Sequence, residues 1–173
     1  MTYHSLFYSP LAIGKHSVAV AAFLQKLISV IEQAPLPRRT PGNTKLGPLT
    51  ESALLTALQA KMGDIEWLHD EKLIAEGRRD RADFYALLTL DGQPYICIIE
   101  ADPTRGDAIA KKFVSRAACI TDTSLIYVTL CFEGTQTGTI AESEKYMEFC
   151  SAICSRLSQG DKRVIYLGFM PSI

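Results

Sequence analysis

The dipeptide Asp91-Gly92 is the feature that most limits how this chain of 173 residues can fold. It separates two largely apolar segments, DRADFYALLTL and PYICIIEAD. Asp-Gly strongly favours the two-residue turn of a β-hairpin, so the sequence predicts two neighbouring antiparallel strands. Both faces of these strands are apolar, which is typical of central strands in a sheet that is covered on both sides.

The length of the turn also predicts which residues lie opposite one another. A two-residue turn pairs Leu90 with Gln93, and by the same count Asp83 lies opposite Glu100. Opposed side chains have Cβ atoms about 5 Å apart, and two carboxylates at that distance repel unless a cation such as Mg²⁺ lies between them. A loop of three or five residues would shift the pairing by one. Alternatively, Asp83 pairs with a nearby arginine and Glu100 caps the following loop.

The remaining elements follow from periodicity and from chain-breaking residues. Apolar residues at helical spacing predict a helix over residues 16–33, and a proline-rich and glycine-rich stretch predicts an exposed loop over residues 35–48. Thr50 is the predicted N-cap of a second helix that ends at Gly63. After the hairpin we expect a helix, a strand, a helix and a strand, and residues 65–74 leave room for one more strand.

Composition and element order together predict one α/β domain over residues 1–173, with a mixed β-sheet and a central hairpin flanked by helices. Residues 1–49 are expected to form an N-terminal helix and a long loop, and residues 50–173 the core. The hydrophobic content of 47% supports a single core, and the net charge of −1 excludes a generally basic nucleic-acid coat protein. No stretch approaches 18 apolar residues, so we expect a cytoplasmic protein that does not enter the membrane.

The segment RADFYALLTLDGQPYICIIEAD resembles the core of the PD-(D/E)XK nuclease superfamily, which includes restriction endonucleases and Holliday-junction resolvases. In that family an Asp in one strand and a Glu-x-Lys at the end of the next bind metal. The resemblance is strongest over residues 78–116. It implies a restriction endonuclease-like fold and an endonuclease that hydrolyses DNA with Mg²⁺ or Mn²⁺, bound by Asp83 and Glu100. It also implies that Glu51, in the preceding helix, completes the metal site, although a Glu in the first turn also suits the helix dipole.

The chain departs from this family at Asp102, which stands where the motif lysine is expected. Three interpretations remain open: some similar members carry an acidic or amide residue there, the basic role has moved to Lys111 or Lys112 on the next helix, or activity has been lost. Lys112 and Arg116 lie on one flank of that helix, and Lys111 lies on the other. Asp102 can also simply form a cross-strand salt bridge with Arg81, which lies opposite it.

Four arginines surround the predicted metal-site strands and are candidates for contacts with DNA phosphates: Arg79, Arg81, Arg105 and Arg116. Each of them, taken alone, is also a plausible solvated surface charge. The resemblance further implies a homodimer, because single-domain members commonly cut two strands through two subunits. The alternatives are a catalytically inactive relative that binds nucleic acid or a partner, and an α/β domain whose resemblance is accidental.

Other kinds of catalytic site are not indicated. Cys150 and Cys154 are four residues apart on a predicted helix, a spacing that suits buried thiols better than zinc ligands. The three histidines, His4, His16 and His69, have no recognisable partner for nucleophilic catalysis in the sequence.

Overall fold

The computed structural model describes residues 3–8, 16–37, 46–69, 81–103, 106–132 and 140–171. In chain order, these segments form β1 (Tyr3–Tyr8), α1 (Val18–Gln33), α2 (Leu46–Lys61), β2 (Leu68–His69), β3 (Phe84–Leu90), β4 (Gln93–Pro103), α3 (Gly106–Cys119), β5 (Ser124–Phe132), α4 (Ile140–Leu157) and β6 (Val164–Pro171). None of the helices in these segments has the length and apolar character needed to cross a bilayer.

The six strands found in the described segments form one mixed sheet in the order β1-β6-β5-β4-β3-β2. Strands β4, β5 and β6 are mutually parallel, and α3 and α4 connect them. Strand β3 pairs antiparallel with β4, and β1 pairs antiparallel with β6. The predicted α/β class and the mixed sheet are therefore confirmed.

The β3–β4 hairpin has the turn that the sequence predicts. Its ladder pairs residues 84–90 with residues 93–99 without a shift, which is the register expected for a two-residue turn. Asp91 has a φ of 50° and Gly92 a φ of 75°, and two consecutive positive φ values are what a type I′ turn requires. The predicted register is confirmed along this ladder.

Helices cover both faces of the sheet and produce two hydrophobic layers. On one face, Ile126 and Val128 of β5 belong to the same buried cluster as Leu27 of α1. On the other face, Tyr127 of β5 packs against Phe113 of α3, with ring centroids 5.2 Å apart. Full burial of a large apolar side chain stabilises the fold by roughly 1.5–3 kcal/mol, so the parallel strands at the centre hold the domain together.

Helix α2 begins earlier than the sequence predicts. It begins at Leu46, so Thr50 lies inside the helix, where its hydroxyl donates a hydrogen bond of 2.8 Å to the carbonyl of Leu46. The prediction that Thr50 is an N-cap is wrong, and so is the extension of the loop to residue 48. Pro48 lies in the first turn, where a backbone N–H has no partner within the helix and its absence therefore costs little.

The N-terminal region also contains a strand that the sequence did not predict. Strand β1 pairs with β6 and forms one edge of the sheet, so residues 1–49 contain more than a helix and a loop. Ser17 caps α1, which begins at Val18. The extra strand considered within residues 65–74 corresponds to the two-residue strand β2, and residues 70–80 lie outside the described segments.

Candidate functional site

The acidic residues of interest lie at the carboxyl end of β4. Glu100 and Asp102 are two residues apart, so both side chains project from the same face of the sheet, which α3 covers. Their relative exposures are only 1% and 5%. The carboxyl ends of parallel strands commonly carry ligand sites in α/β proteins. Two buried acids at this position need cationic or hydrogen-bonding partners.

Helix α3 supplies those partners from one of its flanks. Phe113 anchors the helix in the core, and Lys112 and Arg116, four residues apart, lie on the side of β4. Lys111 lies elsewhere on the helix, is exposed, and pairs with Asp107 at 3.2 Å. The sequence left open which of the two lysines lies near the acids. In the structure it is Lys112 that contacts them.

Lys112 bridges the two acids of β4. Its Nζ lies 2.9 Å from Oε2 of Glu100 and 2.7 Å from Oδ1 of Asp102, and both are charge-assisted hydrogen bonds. Burial by itself lowers the pKa of Lys112, but the charges of Glu100 and Asp102 outweigh this effect and raise it overall. Lys112 is therefore a fixed positive charge at neutral pH.

Arg116 contacts the other oxygen of Glu100. Its Nε donates to Oε1 of Glu100 at 3.2 Å, and its Nη2 donates to the main-chain carbonyl of Arg81 at 2.8 Å. The residue is 8% exposed. The guanidinium of Arg116 thus lies inside the protein against Glu100, and not at the surface where the sequence led us to expect contacts with phosphates.

Asp83 lies at the next position beyond the last ladder pair, Phe84 with Ile99, so continuation of the register places it opposite Glu100. Its Oδ2 accepts a hydrogen bond of 2.7 Å from the backbone N–H of Ala101. Burial, together with the charge of Glu100, raises the pKa of Asp83 from 3.8 to about 7. The anionic form of Asp83 is therefore poorly compensated in the protein alone.

Asp102 uses only one of its carboxylate oxygens. Oδ1 binds Lys112, whereas Oδ2 is buried and has no hydrogen-bond partner among the described residues. An unpaired buried carboxylate oxygen is costly. Asp102, which stands in the place of the motif lysine, therefore binds Lys112 through Oδ1 and, within the described segments, has an unused hydrogen-bond acceptor in Oδ2.

Glu51 and His69 form a second pair close to Asp83. Nε2 of His69 lies 3.5 Å from Oε2 of Glu51, and the ring of His69 stacks on Phe84 with centroids 4.9 Å apart. The charge of Glu51 also contributes to the raised pKa of Asp83, which places Glu51 in the same neighbourhood. No partner for His69 was recognisable in the sequence, because this pairing depends on how α2 packs beside β2.

The remaining predicted phosphate-binding residues are only partly described. Arg81 is exposed, and its main-chain carbonyl is the acceptor for Arg116. Arg79 and Arg105 lie outside the described residues. Arg81 is thus the described arginine of this set that presents its side chain to solvent.

The donor chemistry of the site suits a hard divalent cation. Within the described part of the chain, no three His, Cys, Asp or Glu side chains are grouped closely enough to form a metal site by themselves. Mg²⁺ commonly uses only one or two protein carboxylates, with water and substrate phosphate as its other ligands. Asp83 and Glu100 provide two such carboxylates, and Asp83 lacks the compensating charge that a cation would bring. The two carboxylates fit Mg²⁺ in donor type, and Lys112 and Arg116 contact the two oxygens of Glu100 in its absence.

No protein-family model matches this chain, and no curated protein matches it significantly.

Proposed function

We propose that this protein is a metal-dependent endonuclease that hydrolyses DNA phosphodiesters. The observation that supports this most directly is the hydrogen bond that Asp83 accepts from the N–H of Ala101, the residue after Glu100, together with the contact between Lys112 and Glu100. It combines the two acids and the lysine that the resemblance to PD-(D/E)XK nucleases requires, although the lysine comes from α3 and not from β4.

In this proposal Asp83 and Glu100 hold Mg²⁺ or Mn²⁺, and Glu51 lies nearby as the third acid that the resemblance implies. The metal supplies activation of the attacking water and neutralisation of charge in the transition state. Lys112 remains protonated beside Glu100, so it donates hydrogen bonds and positive charge and does not act as a base. Asp102 holds the ammonium of Lys112 in place.

DNA is the proposed substrate because the chemistry fits phosphodiester hydrolysis and basic residues flank the acids in sequence. Arg81 lies two residues before Asp83 and is exposed, so it is the described residue best placed to meet a phosphate. Arg79 and Arg105 are proposed for the same role from their positions in the sequence. A homodimer would allow both strands of a duplex to be cut.

A second candidate function is a binding protein of the same fold without catalysis. The specific observation in its favour is that Lys112 and Arg116 already compensate Glu100 and Asp102 without a metal. In that case the acids would be structural, and the protein would bind nucleic acid or a partner without cutting it.

Cleavage of plasmid and branched DNA during a titration with Mg²⁺ or Mn²⁺ separates the two functions. We expect metal-dependent cleavage by the wild type and none by Asp83→Asn or Glu100→Gln. Lys112→Met should lower kcat by about 10²-fold or more, since it removes a charge at the reacting centre. Lys111→Met is the matched control on the same helix and should retain activity. Binding of DNA without cleavage at any metal concentration would favour the second function.

A further inference from the structure

Arg116 makes two contacts that join parts of the site distant in sequence. From α3, its guanidinium donates to Oε1 of Glu100 on β4 and to the carbonyl of Arg81, three residues before β3 begins. A planar guanidinium presents its donors in a fixed arrangement, so these two contacts constrain each other.

The link to Arg81 occurs where the regular pairing of the two strands stops. The β3–β4 ladder ends at Phe84 with Ile99, and Asp83 follows directly outside it. There, Asp83 is held through its side chain, which accepts a hydrogen bond from the N–H of Ala101. The carbonyl of Arg81, two residues away, is held by Arg116. These two links lie just beyond the last pair of the β3–β4 ladder.

We infer that Arg116 is a positioning residue that sets the placement of Asp83 relative to Glu100. One side chain fixes the carboxylate of Glu100 and the main chain that leads into Asp83, and the first contact is buried and the second partly buried. A lysine at this position would keep the positive charge beside Glu100, but a single ammonium group lacks the fork that reaches both acceptors. The importance of this placement for catalysis rests on the proposed function.

Amide hydrogen exchange in the metal-free protein tests the inference without any assay of activity. In Arg116→Lys and Arg116→Met, we expect the Ala101 amide to exchange about fivefold to tenfold faster, because Asp83 no longer stays in register to accept its hydrogen bond. The amides of Ile126 and Val128 in β5 report global opening and should not change in Arg116→Lys. Lys111→Met, on the same helix, should leave Ala101 as in the wild type.

Wild-type exchange at Ala101 in Arg116→Lys would overturn the inference, because it would show that Arg116 supplies only charge. If Arg116→Met accelerates exchange throughout the protein, that variant is globally destabilised, and the inference is then tested by Arg116→Lys alone.

Mn²⁺ affinity, measured by calorimetry, provides a second readout. We expect it to fall by about 10- to 100-fold in Arg116→Lys, the range typical of residues that support metal ligands. If the wild type neither binds Mn²⁺ nor cleaves DNA while the Ala101 amide still responds, the proposed function fails and the positioning role remains. If the wild type binds and cleaves but Ala101 and the Mn²⁺ affinity do not respond, the positioning role fails alone.

Discussion

Replacement of Asp83 by Asn should stabilise the metal-free protein, although it removes a residue of the candidate site. Burial and the charge of Glu100 raise the pKa of Asp83 from 3.8 to about 7. The folded protein therefore binds the proton more tightly than the unfolded chain, so stability is lost as pH rises from about 4 to 7. At 1.36 kcal/mol per pKa unit, the cost of the charged form is about 2 kcal/mol at pH 5 and about 4 kcal/mol at pH 7.

Asn has no charge to bury, and its side-chain oxygen can still accept the hydrogen bond from Ala101. We therefore expect Asp83→Asn to exceed the wild type in free energy of unfolding by these amounts, and in Tm by roughly 10 °C at pH 7. Urea denaturation in EDTA at pH 5, 6 and 7 measures the difference. Asp122→Asn, at an exposed position before β5, is the control and should change little. A variant no more stable than the wild type at pH 7, or a difference that does not vary with pH, would refute the reasoning.

Two further predictions concern the metal and the hairpin turn. Mg²⁺ at about 100 times its Kd should stabilise the wild type by about 2.7 kcal/mol and should stabilise Asp83→Asn far less. Thermal melts with and without the metal measure the difference. Equal stabilisation of both proteins would place the metal elsewhere. Gly92→Ala should destabilise the protein by about 1 kcal/mol, because the φ of 75° at this position is strained for any residue with a side chain, although the space around it is open. Urea denaturation measures the loss. An unchanged urea midpoint would contradict the type I′ turn.

The sequence was most informative where local chemistry decides the structure. Asp91-Gly92 specified the turn, and the turn specified the register of β3 with β4, because few dipeptides accept two positive φ values in succession. The largely apolar run of β5 and the helical spacing of apolar residues in α3 and α4 also predicted those elements, because the period of apolar residues is a local property of the sequence. Strand β1 and the early start of α2 were missed, since the first depends on pairing with β6 at the far end of the chain.

In the candidate site, too, some features followed from the local sequence and others only from tertiary packing. Counting along the hairpin predicted Asp83 opposite Glu100, because the distance from the turn to each residue is a property of the sequence. The observed ladder follows that count as far as Phe84 with Ile99, and Asp83 just beyond it accepts a hydrogen bond from Ala101. Only the tertiary structure decided that Lys112 binds the acids, that Arg116 lies inside the protein against Glu100, and that His69 has a partner. The contacts of Lys112 and Arg116 depend on which flank of α3 faces the sheet, and that orientation is set by the packing of Phe113 and its neighbours. The pairing of His69 depends on how α2 packs beside β2.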